Sequence, residues 1–474
     1  MKEMSRIVLF GTGAYYRKFK AMCSAEDKVV GLIDNNAALW GQCMDGVVVN
    51  APDKLCEMSY DYIILLSAKA YEMKEQLSEM NIPDSQMLYM EEYRSLRTED
   101  KVTVFPASFS AHEEKTGKGN ILFVSTDLDY NGGTIAVFYA AMALQSRGYR
   151  VTLAAPAGNS RFVREVNEKG ITVCLSPLLP LVSRAFCDWM SPFDMVFVNV
   201  FQMLVTACEI SLLKPTVWWI HECSHKYDGH YERTRRIYKE YDDVSKMEKL
   251  HVVAVSEIAK NNFNYFYPGR IAECLAYGIP DERGTDVPVV SAKNKVVLAV
   301  IGAMSVRKNQ KILLRALERL PDEVARQVEI RFIGDSNTQY GMEVRAEAKG
   351  ISQIKFLGVM NRQEVAQQFR DIDVLICSSL EETMSITVTE GMMFGKICLV
   401  SKNTGMAEYI TEGKNGYVFD PEDEQELADR ISDIVSKCDE WEAIEKRARE
   451  TYEADFSMEV FGKRLEELLG KVGI

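Results

Sequence analysis

Short, nearly continuous apolar runs recur along the chain, and most are followed by a stretch whose apolar positions have helical spacing. Parallel sheets flanked by helices produce this alternation. The first block predicts strands at 7–10, 29–33, 62–66 and 87–89, with a helix from about Ala14. A polar stretch follows, and 101–118 reads as a linker, with a stray or docked strand over 102–109 as the alternative. The second block predicts strands at 121–124, 151–155, 195–200, 216–220, 251–255 and 272–275. A polar segment near 278–295 leads to a third block with strands at 296–301, 329–333, 354–357, 374–377 and 397–400. The pattern therefore predicts an α/β chain of three Rossmann-like units at 1–100, 119–285 and 286–455. A helix over 456–474 is expected to pack back across the cleft between the last two units.

Composition adds exclusions. The 474 residues carry a net charge of −13, so no basic stripe is available to release counterions from nucleic acid. The 11 cysteines are scattered, form no C-x-x-C pair and are odd in number, which points to reduced thiols in a cytoplasm. The longest apolar run, 296–304, is interrupted by Gly302 and falls far short of the ~18 residues a membrane helix needs. The expectation is a cytoplasmic chain with at most peripheral contact at the inner membrane face.

The densest polar chemistry lies at 379–392, where a buried strand ends in small polar residues and a helix is predicted to start near Ser385. In open α/β sheets ligands sit beyond the carboxyl ends of strands. Backbone N–H groups of Met384, Ser385 and Ile386 would face an anion at that helix N-terminus. Glu382 and Glu390 are eight positions apart, so both can point into one cleft and accept hydrogen bonds from sugar hydroxyls. On spacing alone the alternative stays open: carboxylates that merely favour a helix N-terminus.

Together with their surroundings, Glu382 and Glu390 resemble the E-x7-E pair of retaining glycosyltransferases of family 4, which have the GT-B fold. The landmarks Gly132-Gly133, Val255-Ser256, 277–281, Ile301-Gly302, 307–310, 332–335, 405–408 and Asn415-Gly416 follow in the family's order. The resemblance covers about 119–474 and implies a GT-B pair of Rossmann-like domains behind an additional N-terminal one. It implies that Glu390 bonds the nucleotide ribose, that Glu382 meets donor-sugar hydroxyls and that Lys308 neutralises the diphosphate leaving group. Gly132-Gly133 would approach the donor phosphates, and His221 would lie near the donor sugar. The family usually has an arginine where this chain has Ala303, and Arg307 is the nearby replacement. The implied activity moves a sugar from a UDP- or GDP-sugar to a glycan, lipid-linked glycan or protein, in bacterial surface polysaccharide or glycoconjugate assembly. The resemblance also implies attack from the front face, with no enzyme nucleophile, no cofactor and no metal. A non-catalytic subunit that stabilises an active partner is the alternative favoured by Ala303, and a sugar-nucleotide epimerase is a more distant one.

Other motifs compete. His221-Glu222-Cys223-Ser224-His225 satisfies H-E-x-x-H, with His230 nearby, but a zinc-protease reading requires a helix and 217–220 reads as a strand. Asp127/Asp129 and Asp371/Asp373 are D-x-D strings that read as loop and corner residues rather than metal ligands. Gly11 and Gly13 with Asp34 form an incomplete dinucleotide fingerprint, because Tyr16 replaces the third glycine. That first unit resembles the small domain preceding bacterial sugar acyltransferases, which binds a nucleotide-sugar or serves for oligomer or pathway-partner assembly. The basic run 233–236 reads as a solvated helix face, with a lipid headgroup or anionic acceptor as the alternative.

Overall fold

The computed structural model describes residues 4–67, 69–97, 102–108, 117–179, 188–227, 244, 247–284 and 295–473. The basic run 233–236, His230 and most of the 285–295 crossing lie outside the described residues.

Three sheets form in chain order. In the first, β1 (Arg6–Phe10) lies between β2 (Lys28–Ile33) and β5 (Tyr62–Leu65), with β6 (Met87–Tyr89) beyond β5. The hairpin of β3 (Cys43–Met44) and β4 (Val47–Asn50) extends the other side. Its turn, Asp45-Gly46, has φ of +49° and +82°, the paired left-handed geometry that a two-residue hairpin loop requires.

The second sheet has the order β13 (Leu250–Ala254), β12 (Thr216–Ile220), β11 (Met195–Asn199), β8 (Asn120–Val124), β9 (Arg150–Ala155), β10 (Thr172–Leu175), β7 (Thr103–Phe105). β7 is an antiparallel edge on β10, so the stretch read as linker includes a sheet edge. The strand predicted at 272–275 is not a strand. A single bridge joins Ala254 to Cys274, and the Leu275 carbonyl accepts the Trp219 indole N–H at 3.0 Å instead of extending a ladder.

The third sheet has the order β16 (Ile354–Gly358), β15 (Val328–Ile333), β14 (Val296–Ile301), β17 (Val374–Cys377), β18 (Ile397–Ser401), β19 (Tyr417–Phe419). Its central strands are apolar throughout because helices cover both faces. The strand order reverses at β8 in the second sheet and at β14 in the third, which opens a crevice at the carboxyl ends. This pair of sheets has the GT-B arrangement.

The chain returns from the third unit to the second through a π turn at Tyr452–Phe456 and the helix Met458–Val472. Tyr452 donates to the Ile279 carbonyl at 2.9 Å, and Arg147 meets Glu466 at 3.0 Å. Gly278 sits under this crossing, where a Cβ would lie 2.6 Å from the Phe461 Cβ and 2.9 Å from two backbone oxygens. Gly278→Val is therefore expected to destabilise the fold by about 1–3 kcal/mol. Chemical denaturation checks it, and an unchanged midpoint would show that the crossing gives way freely.

Candidate active site

Several chain segments meet between the second and third sheets. The helix Gly132–Ser146 follows β8, and the Asn131 side chain caps it by accepting from Thr134 N–H at 3.0 Å. Asn131 is held in turn by Asp127 at 2.7 Å, while Asp129 accepts from Tyr130 N–H at 2.8 Å and Asn159 at 3.1 Å. Asp127 and Asp129 thus shape this loop. At the other string, one Asp373 oxygen ties down Val297 N–H at 2.8 Å and Asp371 faces Arg331 at 3.9 Å.

A Cβ on Gly132 would lie 3.9 Å from Ile386 Cδ1, so this helix begins opposite the helix Ile386–Met393. Gly133 leaves room for Asn199 at the end of β11, whose amide nitrogen would sit 3.3 Å from a Cβ there. Ser385 does not cap its helix with its side chain and instead meets the Thr387 hydroxyl at 3.0 Å. Met384 and Ser385 are buried and Ile386 is partly buried.

Glu382 is the electrostatic centre. One carboxylate oxygen accepts from Arg307 at 2.7 Å and also from Lys308. Burial alone would raise its pKa, but Lys308 and Arg307 beside it hold the carboxyl below its usual range. Arg307 also donates to the Glu381 carbonyl at 2.9 Å, which fixes the guanidinium beside the loop. Ala303 is exposed, and Arg307 supplies a second cation next to Lys308.

Glu390 lies within the helix Ile386–Met393. Burial pushes its carboxyl up to about 7, with Arg362 opposing the shift and Glu282 adding to it. Arg362 is held by Glu282 at 2.9 Å and lies 5.3 Å from the Tyr139 ring centroid, on the helix facing it from the second unit.

His221 follows β12 in extended chain, with Ser224–Lys226 forming only a short turn. The two imidazoles of H-E-x-x-H therefore do not share a helix face, which removes the protease reading. Burial lowers His221 to about 3, and its Nε2 has no hydrogen-bond partner. Asn199 Oδ1 and the Tyr277 hydroxyl are likewise buried without a partner. Burial and the nearby Glu382 and Glu390 raise Tyr277 well above its usual pKa, with the Thr389 hydroxyl opposing. Sequence reasoning passed over Asn199, and met Tyr277 only as the first residue of the landmark 277–281, with no role given to it. Their only signal was position, one at the end of a buried strand and the other at the start of the interdomain crossing.

The two lobes are joined at this point. Thr383 donates to the His221 carbonyl at 2.7 Å. The Glu381 carboxylate accepts from Ser224 N–H and its hydroxyl, each at 2.7 Å, and from Asn262 at 2.8 Å. A Cβ on Gly405 would lie 2.0 Å from the Thr383 carbonyl oxygen and 2.8 Å from Ser256 Cβ.

In the N-terminal unit, Asp34 accepts from both the N–H and the hydroxyl of Thr12 at 2.7 Å, and from Asn36 N–H at 2.9 Å. Burial would raise its pKa, but these hydrogen bonds lower it. Gly11 has φ of +98°, and a Cβ there would lie 2.7 Å from the Leu66 carbonyl oxygen. Gly13 opens its helix with nothing near a Cβ. Asp34 therefore braces the turn. Asp34→Ala should cost about 1–3 kcal/mol, because the Thr12 groups lose their acceptor. Hydrogen exchange at Thr12 and Asn36 reads this, and unchanged protection there would contradict it.

Residues 285–451 match the family model "Glycosyl transferases group 1" and residues 3–88 match "C2185-like, N-terminal". The third unit thus carries a glycosyltransferase group 1 domain. Spore coat protein SA of Bacillus subtilis is 27% identical over 36% of this chain and 48% of its own length. Sulfoquinovosyl transferase SQD2 of Arabidopsis thaliana is 26% identical over 34% of this chain and 30% of its own. The matched part therefore spans less than half of either relative. The Anabaena Alr3699/HepE structure with UDP-glucose superposes with a TM-score of 0.62 at 18% identity, over 74% of this chain and 100% of that one. No helix among the described residues is long and apolar enough to cross a membrane.

Proposed function

We propose that the chain is a retaining glycosyltransferase that moves a sugar from a nucleotide-sugar to a glycan, lipid-linked glycan or protein acceptor. The observation that carries this reading is Glu382 with Arg307 and Lys308 on one oxygen, at the foot of a helix facing Gly132. Two cations beside a helix N-terminus suit a departing diphosphate, whose charge grows in the transition state. On this reading Glu390 holds the ribose and His221 offers Nε2 to a donor-sugar hydroxyl. Gly133 and the free Asn199 Oδ1 form the floor below.

Closure of the lobes excludes water, and front-face attack by the acceptor requires no enzyme nucleophile. Chemistry then rests on the two cations, with no cofactor or metal taking part. The Anabaena complex favours a UDP-sugar donor. The placement of Arg307 beside Lys308 favours an enzyme over a non-catalytic subunit, because it offsets Ala303. Surface polysaccharide assembly in the cytoplasm, or at the inner membrane face, is the setting this chemistry suits. The N-terminal unit serves as an assembly module, since Asp34 is already occupied by Thr12.

A thermal-shift panel of UDP-, GDP- and ADP-sugars plus NAD on the full chain tests the reading. One nucleotide-sugar at about 100 times its Kd should stabilise by about 2.7 kcal/mol, while NAD should not. The shift should be much smaller in Glu390→Ala. No shift with any sugar nucleotide would overturn the proposal.

A further inference from the structure

Three side chains of metal-ligating type converge where the two lobes touch. Cys223 Sγ, a His225 ring nitrogen and a Glu381 carboxylate oxygen all lie within 4.8 Å of one another. Cys223 and His225 belong to the segment after β12, and Glu381 belongs to the loop after β17. None of the three is needed for the transfer chemistry proposed above. We propose that Cys223, His225 and Glu381 form an interlobe site for a thiophilic divalent cation of the zinc type, which locks the cleft shut.

The ligand set fits that class. Thiolate, imidazole and carboxylate are the usual zinc donors, and three protein ligands leave a fourth position for water. Bound ligand atoms in a tetrahedral site lie about 3–4 Å apart, from metal–ligand distances of 2.0–2.3 Å. The His225 side chain is exposed and can swing inward to meet that spacing, while Cys223 is buried and already fixed. The surroundings supply the orienting contacts that metal sites depend on. Ser224 N–H and Asn262 hold one Glu381 oxygen at 2.7 and 2.8 Å, and the Ser224 hydroxyl holds the other at 2.7 Å. Each oxygen has roughly two acceptor directions, so the one bound only by the Ser224 hydroxyl keeps a direction for a cation. The Glu381 carbonyl lies 3.9 Å from Cys223 Sγ, which keeps the thiol at this junction.

Because the ligands come from both lobes, the site is complete only when the cleft is closed. Binding must therefore favour the closed state by linkage. The metal acts as an inhibitory lock and takes no part in the transfer step.

The test uses the reduced 474-residue chain titrated with Zn2+ alone, followed by calorimetry, and with Co2+, followed by its thiolate-to-metal charge-transfer absorption. The wild type should show one tight site with a cobalt–thiolate band and a higher Tm in Zn2+. His225→Gln, an exposed change that leaves the fold intact, should weaken that site at least 10-fold, the lower bound for losing even an orienting partner. Cys223→Ser should abolish the band, and its Tm without metal checks folding. Unchanged affinity in His225→Gln, or a band that survives Cys223→Ser, would overturn the proposal by assigning the metal to other cysteines. Absence of a tight site in the wild type would also overturn it. These readouts involve no sugar transfer, so they stand apart from failure of the enzymatic reading.

Discussion

Lys308→Ala is expected to lower kcat by about 10²–10³-fold, the loss typical when one preorganised donor to developing negative charge is removed. Lys308 and Arg307 share one oxygen of Glu382, with Arg307 at 2.7 Å. On the proposed reading the carboxylate positions both cations for the donor diphosphate. The leaving group gains charge as the glycosidic bond breaks, so the contribution of Lys308 should fall mainly on kcat and less on KM. Release of nucleoside diphosphate from the donor found by thermal shift is the assay. Arg307 stays on Glu382 in this variant, so the buried carboxylate keeps a partner and the fold should survive. Arg307→Ala should be similarly impaired, and it also loses the bond to the Glu381 carbonyl. The double variant should lose less than the product of the two single losses, because both cations serve one charge. Wild-type kcat in Lys308→Ala would remove Lys308 from the chemistry.

The elements that sequence made legible are those whose burial leaves no choice. β14, β17 and β18 are apolar on both faces, and their continuous runs mark them as central strands. The helix start expected near Ser385 was similarly visible, and the helix begins at Ile386. Short or half-exposed elements were harder. β10 and β7 sit toward one sheet edge, where Thr103, Val104 and Phe105 are all exposed and no buried period exists to read. The β3–β4 hairpin had a signal, Asp45-Gly46, that went unused because its strands are so short.

The site divides in the same way. The carboxylates Glu382 and Glu390 were legible as a linear string after β17, whereas Lys308 and Arg307 follow β14 and were read from the family resemblance. The pairing of Arg307 with Glu382 is a contact across 75 residues, which no spacing rule supplies. The Cys223–His225–Glu381 group is hidden for the same reason. H-E-x-x-H marks the segment that holds Cys223 and His225, but the residue that meets them, Glu381, lies in the other lobe.

Donor affinity is expected to fall about tenfold per pH unit below pH 7 and to level off above it, with Glu390 as the group responsible. Burial raises this carboxyl from the usual 4.5 to about 7, against the nearby Arg362 and with Glu282 adding to the shift. Those two groups, Tyr139 beside Arg362 and Tyr277 are charged or titratable neighbours that face it. A ribose hydroxyl donates best to the ionised form, so each proton taken up below pH 7 competes with the nucleotide. Glu390→Gln should flatten the profile and weaken binding at pH 8 by about 1.5–3 kcal/mol, the usual worth of a hydrogen bond to a charged group. Stability without donor should move the opposite way. A folded-state pKa above the unfolded one means the native chain binds the extra proton between pH 4.5 and 7. Stability from this group therefore falls as pH rises through that window, by at most about 1.4 kcal/mol per unit, and is flat above it. Opposite slopes in the two experiments, both lost in Glu390→Gln, identify one buried carboxyl as their common origin. A pH-independent donor Kd in the wild type would instead mean that Glu390 does not hold the ribose.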